Sequence, residues 1–170
     1  MKEYVALATV DSQNYQDVNT DLLKTLVNEQ KTPGVYVTMN KPFKTLKSLF
    51  DKEGINTKII IFIDAVTESS RVEMTQDCLF IGNPEKLSDI SIAMDQAVRA
   101  ITFDEKFVFF DSLSTLLIYN NPNTIAKFIH FLSTKMREWK VKGIIISLER
   151  DNKQLIDKLI QFCDLSFDFK

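Results

Sequence analysis

Short apolar segments alternate with longer amphipathic stretches along most of the chain. The apolar segments are rich in β-branched residues. In the stretches between them, hydrophobic residues recur every three or four positions, which places them on one face of a helix. Alternation of this kind predicts a parallel β-sheet that is covered by helices on both faces. We therefore expect an α/β fold, specifically a three-layer α/β/α sandwich with a mainly parallel sheet.

The same pattern gives the bounds of the individual elements. It predicts strands at residues 5–10, 35–39, 58–64, 78–81, 107–111, 143–148 and 165–169. It predicts helices at residues 21–31, 42–53, 84–101, 122–140 and 151–162. The strand at 58–64 is apolar on both faces and is expected to be central, and the strand at 165–169 is expected at an edge. Residues 11–20, 67–77 and 112–121 are expected to be loops.

Composition narrows the class of protein. The chain has 170 residues, 45% of them hydrophobic, which fits one domain over residues 1–170. The net charge of −2 offers no broad cationic surface, so direct binding to nucleic acid or to an anionic membrane is not expected. The start MKEYVALATV lacks the long apolar core of a signal peptide. Cys78 and Cys163 form no CxxC pair, which favours reduced thiols and a cytoplasmic protein.

Four segments carry a resemblance to a known family. FVFFDSLSTLLIYNN at 107–121 resembles the Walker B strand of RecA/KaiC-like P-loop ATPases and the segment that follows it. GVYVTMNKPFKTLKSLFDKEGI at 34–55, NPEKLSDISIAMDQAVRAI at 83–101 and VKGIIISLERDNKQLIDKLIQFCD at 141–164 resemble other parts of the same core, in the same order. The resemblance implies a RecA-like sheet, with Asp111 in the place of the aspartate that holds a magnesium-bound water.

The phosphate-binding motif of that family is missing. A P-loop reads G-x-x-x-x-G-K-[ST] between the first strand and its helix. Residues 11–20 contain no glycine and no lysine, and the first glycine of the chain is Gly34. By the family's spacing, the Gly-Lys-Thr position falls near Tyr15-Gln16-Asp17. The carboxylates of Asp11, Asp17 and Asp21 would also repel a triphosphate there.

The resemblance places a catalytic glutamate pair after the second strand, where this chain has Asn40. An amide cannot serve as a general base toward water. We therefore expect no catalytic residues, no ATP hydrolysis and no ATP or magnesium as cofactor. The expected function is that of an inactive RecA/KaiC-like domain that acts as a protein-interaction or regulatory module.

Candidate ligand-binding residues lie where the predicted strands end, because α/β proteins bind ligands at the carboxyl ends of parallel strands. They are Asn40, Asp64, Asp111 and Ser112. Asp64 and Asp111 form a possible pair of metal ligands, but two carboxylates without a third ligand are a weak signal, and no metal site is expected. The alternative role for Asp111 is structural, as an acceptor for the loop that follows it. The same loop contains three hydroxyl residues, Ser112, Ser114 and Thr115. Three roles are open for them: contact with a ligand, phosphorylation, or hydrogen bonds to backbone groups of the loop.

The apolar run Leu116-Leu117-Ile118-Tyr119 is the candidate contact surface. Leu116 and Leu117 are expected to pack under the next helix, which leaves Ile118 and Tyr119 for a partner. The resemblance implies a protein partner, either an intact RecA/KaiC-like ATPase or a second copy of this chain. Two other functions stay open: residual binding of a nucleotide or another small ligand, and an accessory role in DNA recombination, which rests on fold analogy alone.

Overall fold

The strands form one twisted sheet. The computed structural model describes residues 2–68, 73–75, 77–148 and 152–169. Within these residues, the eight strands are β1 (Tyr4–Val10), β2 (Gly34–Thr38), β3 (Ile60–Asp64), β4 (Glu73–Met74), β5 (Cys78–Phe80), β6 (Phe107–Asp111), β7 (Lys142–Leu148) and β8 (Leu165–Phe169). They pair in the order β4-β5-β3-β2-β6-β7-β1-β8. Among these strands, only β4 and β5 pair antiparallel, at one edge; the other neighbours are parallel.

Helices cover both faces of the sheet. They are α1 (Tyr15–Leu23), α2 (Phe43–Lys52), α3 (Leu87–Ala100), α4 (Leu113–Tyr119), α5 (Pro122–Trp139) and α6 (Lys153–Ile160). Helix α1 continues into a π-helical stretch over Lys24–Glu29, and a 3-10 turn over Thr57–Ile59 precedes β3. Residues of α1, this π-helical stretch and α2 belong to the hydrophobic core on one face, and residues of α3 to α6 belong to the core on the other. The predicted α/β/α sandwich is therefore confirmed.

Successive residues of each central strand supply the two cores in turn, because side chains alternate across a sheet. On the α1 and α2 face, Tyr36 stacks on Phe109 with ring centroids 5.0 Å apart and meets Phe50 edge-on at 5.4 Å. On the opposite face, Phe110 packs 6.0 Å from Phe128 of α5. The large aromatic content of the chain is thus used mainly to fill the space between sheet and helices.

The prediction for α1 was wrong. The helix begins at Tyr15 and not at residue 21, so only residues 11–14 separate it from β1. Asn19 and Thr20, which fall in the expected loop at 11–20, lie buried within the helix. The Thr20 hydroxyl donates to the carbonyl oxygen of Gln16 at 2.8 Å, one turn earlier. Because the buried face of this turn is polar, the hydrophobic pattern did not reveal a helix.

The prediction of a loop over residues 112–121 was also wrong, because most of this segment is helix α4. Leu113 and Leu116 are fully buried one turn apart and attach the helix to the core. A short connection then leads into α5, where the side chain of Asn121 accepts from the amide N–H of Thr124 at 2.9 Å and caps the helix.

Smaller differences concern the ends of elements. α3 begins at Leu87, three residues after the predicted start at Pro84, and Ile92 on this helix is 57% exposed. α6 is shorter than predicted, and residue 151 lies outside the described residues. Strand β3 is the third strand from one edge and is flanked on both sides. Of the predicted loop at 67–77, residues 73–74 form β4, whereas residues 69–72 and 76 lie outside the described residues.

No helix of the described segments is both long enough and apolar enough to span a membrane.

Candidate functional site

A tight turn joins β1 to α1. The Asp11 carboxylate accepts from the amide N–H of Gln13 at 2.9 Å, and its carbonyl oxygen accepts from the amide N–H of Asn14 at 3.0 Å. The amide N–H of Asp11 donates to the carbonyl oxygen of Phe169 in β8 at 3.2 Å. The turn is thus closed on itself and on the neighbouring strand, and α1 starts immediately after it.

Asp111, the last residue of β6, is buried and accepts hydrogen bonds from three side chains. The hydroxyl of Tyr15 and the Nδ2 of Asn40 both donate to Oδ1, the latter at 3.0 Å. The hydroxyl of Tyr36 donates to Oδ2. These donors come from the first turn of α1, from β2 and from the segment after β2. In its alternative, structural role the carboxylate was expected to accept from the loop that follows it, but these three donors are side chains elsewhere in the chain.

Asn40 connects Asp111 to its surroundings. Its Nδ2 lies 2.8 Å from the Tyr15 hydroxyl oxygen and 3.2 Å from the Ser112 hydroxyl oxygen, in addition to its bond with Asp111. Its Oδ1 accepts from the hydroxyl of Thr115 in α4. Of the four candidate ligand residues, the structure therefore brings together Asn40, Asp111 and Ser112.

Burial is the main influence on the charge state of this cluster. It raises the pKa of Asp111 above its ordinary value, although the hydrogen bonds from Tyr15 and Tyr36, the charge of Lys41 and the Asn40 amide all act in the opposite direction. Burial, with the negative charge of Asp111 next in effect, raises the pKa of both tyrosines far above the usual range. The two phenols therefore keep their protons at neutral pH and remain donors.

Two further polar side chains belong to the same region. Lys41 donates from Nζ to Oε1 of Gln16 at 2.9 Å, which links the segment after β2 to α1. Asn19 is buried close to both tyrosines, and its Oδ1 has no hydrogen-bond partner among the residues that the structure describes. The inward faces of α1 and β2 thus supply a polar layer around Asp111.

Asp64, the fourth candidate, has a separate set of partners. Oδ1 accepts from the backbone N–H groups of Val66 and Thr67 at 2.7 and 2.8 Å. Oδ2 accepts from the backbone N–H of Phe43 at 2.9 Å and from the Thr67 hydroxyl at 2.6 Å. The carboxylate is 0% exposed and every one of these bonds is with the protein itself.

The two aspartates do not share a site. Thr38 of β2 pairs with Asp64 on one side and with Asp111 on the other. Because strands lie about 4.8 Å apart, the Cα atoms of the two aspartates are about 10 Å apart. They have no hydrogen-bond donor in common. The candidate metal pair is thus not assembled, and the described residues contain no cluster of three or more His, Cys, Asp and Glu side chains able to hold a metal ion.

The hydroxyls after β6 have different roles. Ser112 is buried and Thr115 bonds to Asn40, so both belong to the Asp111 cluster. The Ser114 hydroxyl oxygen accepts from the amide N–H of Leu148 at 2.9 Å and fixes α4 to the end of β7. The peptide bond between Asp111 and Ser112 is cis.

The candidate contact residues lie at the end of α4. Leu116 is fully buried and Leu117 is half-buried, as expected. Ile118 is 76% exposed and Tyr119 is 47% exposed. Both apolar side chains are thus available at the surface.

Sequence reasoning missed the roles of Tyr15 and Tyr36. Tyr36 did leave a signal, because a tyrosine in an otherwise apolar strand needs a partner for its hydroxyl. Tyr15 fell on the expected Gly-Lys-Thr position, but nothing local indicated that its hydroxyl meets Asp111.

The arrangement of strands and the position of Asp111 define a RecA/KaiC-like α/β fold. The chain is similar to the crystal structure of a KaiC-like protein from the hyperthermophilic archaeon Pyrococcus horikoshii OT3, with a TM-score of 0.70 and 14% sequence identity. The match covers 97% of this chain and 71% of that one. At this identity the similarity shows the fold alone. The chain belongs to the family of unknown function DUF7504, whose model matches residues 7–168. No curated protein matches it.

Proposed function

We propose that this protein is a catalytically inactive RecA/KaiC-like domain that acts as a protein-interaction or regulatory module. The observation that carries the proposal is the state of Asp111. In the ATPases that the sequence resembles, the corresponding aspartate holds a magnesium-bound water. Here its two oxygens accept from Tyr15, Tyr36 and Asn40 of the same chain.

The junction of β1 and α1 supports the same conclusion. A Walker A motif spans eight residues, and its glycines and lysine surround the phosphates. Only residues 11–14 separate β1 from α1 in this chain, and none is glycine or lysine. A helix N-terminus usually attracts anions, but the first turn of α1 carries Asp17. A triphosphate would find a short turn and a negative charge.

An assay of ATP hydrolysis tests the loss of catalysis. With ATP and magnesium, we expect phosphate release at the level of the buffer, both for the natural chain and for Asp111→Ala. Turnover by the natural chain that disappears in Asp111→Ala would contradict the proposal, because it would give the carboxylate a catalytic role.

A thermal-shift measurement separates this proposal from residual nucleotide binding. A ligand that binds only the folded state raises the melting temperature. Because we expect no nucleotide to bind, ATP and ADP, with or without magnesium, should leave the melting temperature unchanged. A rise of several degrees that requires magnesium would favour the nucleotide-binding alternative over the interaction module.

The end of α4 offers a test of the interaction role. Ile118 and Tyr119 are exposed apolar residues that no described part of the fold covers fully. We expect Tyr119→Asp to weaken self-association, or the capture of an intact RecA/KaiC-like ATPase, while circular dichroism and melting temperature stay the same. Phe103→Asp is the matched control, because Phe103 is an aromatic residue that is 65% exposed elsewhere. Unfolding of Tyr119→Asp, or unchanged association, would show that this patch is not the contact.

A further inference from the structure

Helices α5 and α6 form a groove on the face of the molecule opposite α1 and α2. Two cavities of about 270 and 240 Å³ lie along it and share Asn123 and Lys158 in their walls. The shared residues show that the two cavities are neighbours along the groove. The remaining lining comes from Ala126, Lys127, His130 and Phe162 at one end and from Pro122, Asn152, Gln154 and Leu155 at the other.

The groove has a charge opposite to that of the chain. Its walls contain two lysines, Lys127 and Lys158. None of the described residues that line the two cavities is acidic. In a chain with a net charge of −2, this local excess of cationic groups selects an anionic occupant.

The helix ends beside the groove favour separated negative charges over one compact anion. The amide N–H groups of Thr124 and Leu155 already bond to the capping side chains of Asn121 and Asn152, at 2.9 and 3.1 Å. The first turns of α5 and α6 therefore have these donors occupied. The cations are instead lysine side chains, which act as flexible point charges and do not form a rigid fork.

The groove also has the length and the apolar surface for a peptide. Asn123, Lys127 and His130 follow one face of α5 over about 10 Å, which is the span of about three residues of extended chain. At one end the ring of His130 lies 4.6 Å from that of Phe162. This pair of rings, beside Ala126, offers a surface for one hydrophobic side chain.

We propose that the groove between α5 and α6 binds an acidic peptide segment of a partner protein. Carboxylates of the segment pair with Lys127 and Lys158, and a hydrophobic side chain packs on the His130–Phe162 pair. The exposed residue Tyr119 stands three positions before Pro122, where the groove begins, so the two surfaces are neighbours in sequence. This inference rests on the proposed protein-binding role and specifies the chemistry of the partner.

Nuclear magnetic resonance can test the groove with a defined probe. The ¹⁵N-labelled chain is titrated with the hexapeptide Glu-Glu-Leu-Glu-Glu-Leu at low salt. We expect the amide shifts to concentrate in residues 122–130 and 152–162, and the affinity to fall at least tenfold in the double variant Lys127→Glu/Lys158→Glu. Added salt lowers the affinity as well, because exposed charge pairs are screened.

A matched control has the same change of charge on the opposite face. Lys44→Glu/Lys52→Glu alters two exposed lysines of α2 and should keep the affinity within about twofold of the natural chain. Equal losses in both double variants, shifts outside the groove, or no shifts at millimolar peptide would overturn the proposal. So would binding of inorganic polyphosphate or an RNA oligonucleotide in the groove without binding of the peptide.

These outcomes are independent of the assays of nucleotide chemistry. A failed titration with no measurable ATP hydrolysis rejects the groove and leaves the inactive RecA/KaiC-like domain standing. Measured ATP hydrolysis rejects the proposed function and leaves the result of the titration unchanged.

Discussion

Asp64 and Asp111 end two strands on either side of β2, in register with the same residue, and are held in different ways. Asp64 accepts three backbone N–H groups and one hydroxyl, mostly from the turn that follows it directly. Asp111 accepts from side chains that lie 96, 75 and 71 residues away in sequence. The first carboxylate organises its own loop, whereas the second joins three distant parts of the fold.

The chemistry of the donors makes the difference measurable. A backbone N–H can only donate, so both oxygens of Asp64 must remain acceptors. A tyrosine hydroxyl can donate or accept, so the partners of Asp111 can reverse a hydrogen bond. An Asp→Asn substitution, which replaces one carboxylate oxygen by an NH₂ group, therefore has different consequences at the two strand ends.

The largest effect is expected for Asp64→Asn. In either orientation, the new NH₂ group faces backbone N–H donors from Phe43 or from the turn at Val66 and Thr67. Opposed donors in a buried position should lower the free energy of unfolding by about 3 kcal/mol. Chemical denaturation measures this loss. A cost no greater than that of Asp111→Asn would remove the distinction between the two sites.

Asp111→Asn should lower the free energy of unfolding by about 2 kcal/mol, because the new NH₂ group cannot accept a hydrogen bond. The loss is smaller than for Asp64→Asn because the Tyr15 or Tyr36 hydroxyl can turn to accept from this NH₂ group. If the carboxylate is structural, any affinity for nucleotide changes less than stability does. An unchanged denaturation midpoint together with the loss of a bound ligand would assign Asp111 to a binding site instead.

The cost of Asp111→Asn should also depend on pH. Burial raises the folded-state pKa of Asp111 above its unfolded value, so its contribution to stability is complete below the unfolded pKa and is lost as pH rises through the folded pKa. The difference between the natural chain and Asp111→Asn should therefore be largest below about pH 4, the unfolded pKa of an aspartate, and shrink as pH rises. The free energy of unfolding of both proteins is measured across this pH range. Its difference cancels the contributions of the other carboxylates, which the two proteins share. A difference that grows with pH would show a lowered pKa.

Loss of single donors should produce the smallest effects. Tyr36→Phe removes a fully buried hydroxyl from Asp111 and should cost about 1 kcal/mol. Thr67→Val removes a hydroxyl from Asp64 at an exposed residue and should cost about 0.5 kcal/mol, since three backbone donors remain. Denaturation of both variants under the same conditions compares them. The reverse order would mean that side-chain donors contribute less to Asp111 than the geometry indicates.

Much of the sheet was predictable because its strands are short apolar runs. The bounds of β6 and β8 agree with the predicted 107–111 and 165–169, and those of β7 differ by one residue. The beginning of α1 was not predictable in this way, because Asn19 and Thr20 occupy its buried face. Hydrophobic periodicity detects a helix only where the core it faces is apolar.

The candidate site was predictable in its positions but not in its connections. Asp64 and Asp111 were identified because they end predicted strands, and parallel strands place their carboxyl ends at the same edge of the sheet. The bond from Tyr36 to Asp111 depends on β2 lying beside β6, a pairing of segments 75 residues apart that no local pattern encodes. The family resemblance identified the position of Asp111 at the end of a strand. The side chains that donate hydrogen bonds to it could be identified only from the three-dimensional structure.

The bond between Tyr15 and Asp111 also limits how this chain can change in evolution. A longer turn between β1 and α1, such as a phosphate-binding loop requires, would displace the first residue of α1 and remove a donor from a buried carboxylate. Substitution of Tyr15 before the turn lengthens leaves the same carboxylate short of a partner. Both of these changes therefore give a less stable protein, so selection for folding favours the present arrangement.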